Sequence, residues 1–554
     1  MASTQVKRIT GQTPAMGGLI GITRLLSLAV LYVSVAFGTY NVDNTVDLGC
    51  NKYAGVSGSN SITKWLGVRY AAPPVGDLRF LPPEDPPCND AVQIADQHGM
   101  WCLATGAAPD NPDTSEDCLF LDVYAPANAT ASSKLPVFIF IQGGGFNSNS
   151  SPNLDGSGLI TASGHSILVV TFNYRVGPYG FITSGNSVKA NNGLRDQRKA
   201  LEWVQRHISK FGGDPGHVVL GGSSAGAASI TLQLAAYGGR NDNLFHAVAA
   251  ESPAFATMLT IEESRYQYEN FAIRVGCVGH DSLACLQSKT AEELQEQNTN
   301  VPYPGAAKAP LYMWGPVLDY DLITDLTYNS FAWGRFIKVP MIFGDDTNGG
   351  TVFTPPNAST IGESNLFLHD QYPYLDLAHL MEVNSLYPNQ NTSCPSPGCY
   401  WRQVSDVYGD MRFMCPAMFI SSMAVQYGVP RSWNYRYNVE DPEQMAQGIG
   451  VPHTVELHAI FGPENTSGGP QSYQPGGINA HVVPVIQAYW TSFIRAFDPN
   501  KFRLPGTAEW RMWNSSSRQR IVFETGGNTT MEPVNQNTWR RCKYLNDLGA
   551  TIKQ

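Results

Sequence analysis

Gly222-Ser223-Ser224-Ala225-Gly226 sets a hydroxyl between two glycines in the spacing G-x-S-x-G. The apolar residues 218–220 before it read as a short buried strand, and residues 227–236 after it as a helix. A serine on a sharp strand-to-helix turn is held in a strained backbone conformation. Its flanking glycines leave room for the turn and for close strand–helix packing. The helix that follows directs its positive end at the position where an oxyanion would form. The chemistry open to such a serine is nucleophilic attack on a carbonyl. An ordinary Gly/Ser-rich turn has the same composition, so the pattern needs partners elsewhere in the chain.

One partner lies upstream. Residues 135–141 are continuously apolar, as expected for a central strand buried on both faces, and they empty into Gln142-Gly143-Gly144-Gly145-Phe146. Three glycines at the carboxyl end of a buried strand leave backbone N–H groups free to face a ligand, or else form a flexible turn. The serine motif downstream favours the first reading. Residues 65–80 read as a strand running into a Pro/Gly loop, and residues 115–124 open another strand. Residues 167–172 form a further buried strand, ending at Asn173-Tyr174-Arg175-Val176-Gly177. Residues 194–210 carry Leu201, Val204 and Ile208 on one helical face, and Phe211-Gly212-Gly213-Asp214-Pro215 stops that helix. Strand and helix in alternation predict an α/β fold with a mostly parallel sheet and right-handed crossovers. Ligands then sit at the carboxyl ends of the strands, where Gly143–Gly145 and Ser224 both fall.

The chain has 554 residues, 43% apolar and 15% charged, enough for one large α/β domain or several small ones. Its net charge of −10 and lack of a long basic run argue against nucleic acid as a partner. Lys7 and Arg8 precede the apolar residues 25–37, which end in small residues near Ala36 and Gly38. This is a signal-peptide pattern over residues 1–38 with cleavage expected near 36–40; an uncleaved signal anchor is the alternative. Ten cysteines suit an oxidising compartment, and the close pairs Cys102/Cys118, Cys277/Cys285 and Cys394/Cys399 suggest local bridges. Glycosylation sequons stand at Asn128, Asn149, Asn357, Asn391, Asn465, Asn514 and Asn528. No cysteine or histidine spacing matches a zinc site, so no metal is expected.

Taken together, residues 67–80, 116–124, 143–146, 173–181, 193–205, 211–215, 221–227, 338–352 and 450–462 resemble the type-B carboxylesterases, the cholinesterase-like branch of the α/β-hydrolases. The resemblance implies a single catalytic domain over residues 39–554: a large, mostly parallel central sheet, helices on both faces and a substrate gorge over the serine. It makes Ser224 the nucleophile, with the N–H groups of Gly144, Gly145 and Ala225 as oxyanion donors. In Gly450-Val451-Pro452-His453 it makes His453 the general base, in preference to His458 and His481. It also pairs Cys102 with Cys118, Cys277 with Cys285 and Cys415 with Cys542, leaving Cys50/Cys88 and Cys394/Cys399 by elimination. No cofactor is implied.

The chain departs from that family where a triad carboxylate is expected. The stretch reads Gly344-Asp345-Asp346-Thr347-Asn348-Gly349-Gly350-Thr351, with Gly349 in the acid's place. Asp345 and Asp346 lie several residues earlier and read as turn residues with solvated carboxylates, or as substitutes if the loop reshapes. Gln142, before the three glycines, carries little expectation. Phe353, Phe367, Tyr372, Tyr374 and Tyr387 read as core and rim packing, or as lining of a substrate pocket. The resulting expectation is a secreted serine hydrolase of carboxylic esters acting through an acyl-enzyme on a small-molecule ester. No obligate protein partner is evident, and a membrane enters only if the leader stays. The alternative is a hydrolytically impaired relative that binds a partner or holds a small molecule for a non-hydrolytic reaction. A lipase proper would need an apolar lid, which the residues do not identify.

Overall fold

The structure, a computed structural model, describes residues 44–58, 60–185, 187–389 and 398–554. The expected leader over residues 1–38, the sequon Asn391 and Cys394 lie outside them.

Among the described residues the main sheet has eleven strands. In chain order they are β1 (Val56–Ser57), β2 (Ile62–Arg69), β3 (Phe120–Pro126), β4 (Leu135–Ile141), β5 (Leu168–Phe172), β6 (Gly213–Ser223), β7 (Ala247–Glu251), β8 (Met341–Asp346), β9 (Ser432–Asn438), β10 (Gln519–Glu524) and β11 (Asn528–Pro533). Their spatial order is β11-β10-β9-β8-β7-β6-β4-β5-β3-β2-β1. The seven from β5 to β10 across the middle are parallel, and β11, β3, β2 and β1 run antiparallel at the edges. This is the expected mostly parallel sheet of the α/β-hydrolase fold. The strand period of two divides β4 between two cores: Val137, Ile139 and Ile141 face one, Phe138 and Phe140 the other. Helices α1 (Asn192–His207), α2 (Ala225–Gly239) and α4 (Cys415–Gln426) close the first core; α5 (Val482–Ala496) closes the second. Between α3 (Trp401–Gly409) and α4 the backbone widens into one π-helical turn, Asp410–Met414, before Pro416 continues the helix.

The expected elements are present with shifted ends. The strand before the serine begins at Gly213 rather than 218, because Gly213 pairs with Leu135 ahead of an irregularity in the ladder. α1 ends at His207, and Ile208 packs from a following 3₁₀ turn. Helical backbone after the serine breaks at Ala236, where ψ turns to 136°.

Two buried ion pairs tie loops to this frame. Arg175 Nε and Nη2 donate to Asp196 on α1 at 2.8 and 2.6 Å. Arg79 makes two 2.6 Å bonds to Glu116 and donates to the carbonyls of Leu286, Gln287 and Lys289. Four disulfides are described: Cys50–Cys88, Cys102–Cys118, Cys277–Cys285 and Cys415–Cys542, the last joining α4 to α6 (Gln536–Gly549). Asn128, Asn357, Asn514 and Asn528 are exposed. Asn149 and Asn465 instead turn their amide nitrogens to the carbonyls of Cys102 and Phe461, so a glycan there would replace those bonds. No helix among the described residues is long and apolar enough to cross a membrane.

Asp196 is fully buried against Arg175, so removing its charge strands a guanidinium in the core. Asp196→Asn is expected to lower stability by about 3–5 kcal/mol, read as the shift of the urea unfolding midpoint.

Candidate active site

Ile141, Ser223, Glu251 and Asp346 end neighbouring parallel strands, so their loops open at the same edge of the sheet. Ser224 occupies the turn between β6 and α2 with φ 57° and ψ −119°, a conformation that non-glycine residues adopt only when the surroundings impose it. The surroundings do so tightly. Ser224 N donates to Glu251 O at 2.9 Å, and Ser224 O accepts from Ala228 N and Ala254 N. A Cβ on Gly226 would lie 2.0 Å from Ile141 O, and one on Gly222 2.8 Å from Gly226 C. Ser224 itself is half-buried, while Ser223 and Ala225 on either side are buried.

The glycine loop lies against this turn. A Cβ on Gly143 would stand 2.8 Å from Ser224 Cβ, so only glycine fits beside the hydroxyl. Gly144 (φ 112°) and Gly145 (φ 61°) take left-handed conformations that turn their N–H groups out of the ladder. Neither N–H has an acceptor within the described chain. Ala225 N heads α2, where a helix leaves its first N–H groups unpaired. Gln142 anchors the loop: Nε2 donates to Asn173 Oδ1 at 3.0 Å, Oε1 accepts from Ser151 N, and its carbonyl accepts from Tyr174. In the sequence Gln142 carries little expectation, and its position before the glycines is the signal of this role.

His453 stands on the loop after β9. Phe413, on the π-helical turn, stacks on its ring at a centroid distance of 4.0 Å, and Phe353 meets it edge-on at 5.2 Å. Phe353 in turn meets Tyr312, whose ring lies against Gly145. Both imidazole nitrogens are buried and have no hydrogen-bond partner, Ser224 Oγ included. Burial first, and the Arg412 guanidinium second, hold the imidazole down at about 3, so it is neutral at physiological pH. His458 bonds Thr466 instead, and His481 precedes α5. Of the five aromatics singled out, Phe353 alone touches His453. Tyr372 and Tyr387 are buried in a separate core, Phe367 packs on Tyr408, and Tyr374 donates to Glu263.

Gly349 is buried with an ordinary negative φ, so its backbone does not require glycine. A Cβ there would meet Phe413 Cδ2 at 3.3 Å. By contrast a Cβ on Gly350 would lie 1.9 Å from Ser405 O. Asp345 and Asp346 are not solvated turn residues. They end β8 and are 1% and 3% exposed, because parallel pairing with β9 continues through both. They point to opposite sides. Asp345 faces Arg520 at 3.5 Å and lines a polar cavity of about 410 Å³ with Arg436, Glu532 and Asp410. Asp346 Oδ2 accepts from Ser252 Oγ at 2.9 Å and from Thr454 N at 2.7 Å, next to His453. Neither carboxylate reaches the imidazole.

Burial pushes Asp345 up to about 7 despite Arg520. Folded protein therefore holds this proton more tightly than unfolded chain. The resulting stability is complete below about pH 4 and is lost as pH rises through 7, by at most about 4 kcal/mol. Thermal midpoints between pH 4.5 and 8.5 are expected to fall less steeply for Asp345→Asn than for the natural protein.

The family model described as "Carboxylesterase family" matches residues 49–541. Secreted lipase 4 of Gibberella zeae is 29% identical, with 92% of this chain and 94% of that protein covered. Lipase 2 of Geotrichum candidum is 34% identical over 79% of this chain and 84% of its own length. The crystal structure of Aspergillus niger EstA superposes with a TM-score of 0.89 at 41% identity, covering 92% of this chain and 99% of that one. The chain thus belongs to the carboxylesterase family and is a carboxylic ester hydrolase.

Proposed function

We propose that Ser224 attacks the ester carbonyl, that His453 takes the hydroxyl proton and returns it to the leaving alkoxide, and that water releases the acyl group by the same path. The N–H groups of Gly144, Gly145 and Ala225 would receive the oxyanion. The observation that carries this reading is the backbone of Ser224, held at φ 57° beside a glycine that admits no side chain. Strain of this kind is retained where function uses it.

The same reading takes Gly349 as the site of the lost triad acid and leaves His453 as a base without a carboxylate. Loss of that role lowers kcat by up to roughly 10⁴ in a complete triad, with residual catalysis from the remaining groups. The unpaired ring nitrogens of His453 also favour a second reading, in which hydrolysis is impaired and the pocket holds a small molecule for another purpose. Export fits the basic-then-apolar leader, the disulfides and the likeness to a protein named as a secreted lipase. A mature N-terminus within residues 36–40, found on protein recovered from the medium, is the expected result; an intact leader would place the protein on a membrane.

Turnover of a short p-nitrophenyl ester by the natural protein, Ser224→Ala and Gly349→Glu tests the reaction. Ser224→Ala is expected to be inert, and Gly349→Glu to gain ten-fold or more in kcat once Phe413 yields a few tenths of an ångström. A natural protein as slow as Ser224→Ala would favour the second reading. Because the imidazole is held near 3, kcat/KM should not fall between pH 7 and 5, whereas Gly349→Glu should raise the acid limb by favouring imidazolium. An acid limb near the ordinary imidazole value in the natural protein would contradict this environment for His453.

A further inference from the structure

Behind the serine and histidine loops lies a group of buried carboxyls without a basic partner in contact. Asp346 is 3% exposed; Glu456 and Glu251 are fully buried. The Asp346 and Glu456 carboxyls adjoin each other. Each has one oxygen already served by donors: Asp346 Oδ2 by Ser252 and Thr454, and Glu456 Oε1 by Tyr435 at 2.9 Å. Each has one oxygen left without a donor, Asp346 Oδ1 and Glu456 Oε2. Two ionised carboxylates cannot remain in contact in a medium of low polarity, and a single proton between them satisfies both orphan oxygens.

We propose that Asp346 and Glu456 hold one proton in common and, as a single anion, position His453 by fixing the Thr454 N–H, in place of a carboxylate on the imidazole itself. Thr454 is the residue after His453 and has φ 61°, so its backbone is turned into this bond. Ser252 completes the arrangement, since it follows Glu251, whose carbonyl holds Ser224 N. Asp346 is thus a positioning residue linking the serine turn to the histidine loop. The inference rests on the assignment of His453 as base.

The groups that face the pair are Glu251, Tyr435, Tyr437 and Tyr473. Glu251 adds its own buried carboxyl, held by Trp490 at 3.0 Å; the two tyrosines Tyr437 and Tyr473 bond each other. Asp345 points away to Arg520, and the Arg412 guanidinium acts on His453 rather than on the pair. Burial pushes both carboxyls up, Asp346 the further because Glu456 adjoins it. Rising pH removes the shared proton and opposes two buried charges at the base of the histidine loop.

The test compares the natural protein with Asp346→Asn and Asp346→Leu by infrared titration of protonated carboxyls and by pH profiles of ester turnover, with Ser224→Ala as a control. An asparagine can accept from Thr454 and donate to Glu456 permanently; a leucine can do neither. At pH 7 Asp346→Asn is expected to show one protonated carboxyl fewer than the natural protein. Its kcat should fall only a few-fold, with the alkaline limb removed. Asp346→Leu should lose thirty-fold or more in kcat with KM within two-fold. Equal carboxyl signals in the natural protein and Asp346→Asn would overturn the shared proton, and so would superimposable pH profiles. Full kcat in Asp346→Leu would overturn the positioning role. Undiminished turnover in Ser224→Ala would instead count against the parent assignment, and the infrared comparison would still decide the shared proton.

Discussion

Two loops of different origin converge on one carboxyl oxygen, and a third is tied to the backbone beside it. Asp346 Oδ2, at the end of β8, receives Ser252 Oγ from the end of β7 and Thr454 N from the loop after β9. The backbone beside Ser252 receives Ser224 N from the end of β6. Adjacent parallel strands are held about 4.8 Å apart, so loops leaving their ends are near one another but not aligned. A buried hydrogen-bond relay sets their mutual height. Intramolecular hydrogen bonds of this kind contribute about 0.5–1.5 kcal/mol each. The larger effect is directional, since Thr454 must take a left-handed conformation to present its N–H.

The imidazole of His453 is itself under a nonpolar cover. Phe413 and Phe353 cover the imidazole, and Phe413 comes from a π-helical turn that places Arg412 and Phe413 in succession toward the site. Both residues are nearly fully buried. Packing can hold an aromatic ring in place without any hydrogen bond, and stacked rings add roughly 0.5–1.5 kcal/mol beyond buried area. Packing does not supply charge. An imidazolium formed here would have Arg412 nearby and no carboxylate in contact, which disfavours it on two counts. Leaving a buried ring nitrogen unpaired costs about 1–3 kcal/mol. A protein retains such a cost where an unpaired group has work to do.

Glycine carries the rest of the arrangement. At Gly143, Gly222 and Gly226 the reason is proximity, because a methyl group would strike Ser224, the helix backbone or β4. At Gly144 and Gly145 it is backbone conformation. Gly349 meets neither condition. Its dihedrals suit any residue, and its missing Cβ would touch only the edge of Phe413 closely. The position is therefore open to a side chain that this chain does not carry.

Much of the fold was legible in the residues themselves. The uninterrupted apolar run at 135–141, the alternation of strands and helices, and the glycines around Ser224 carry local information, because burial on both faces and sharp turns each restrict composition. Strand and helix ends were less legible: Gly213 joins β6 only through its pairing with Leu135. The sequence by itself also determined that a glycine stands at 349. What it could not determine was the fate of Asp345 and Asp346. Two adjacent aspartates near glycines have the composition of a turn, yet pairing with β9 carries them into the sheet, where the period of two sends one to Arg520 and the other to Ser252 and Thr454. That choice, like the role of Gln142 and the aromatic cover over His453, depends on partners 9 to 175 residues away. Only tertiary structure brings such partners together, because burial and hydrogen bonding act on distance in space and not on distance along the chain.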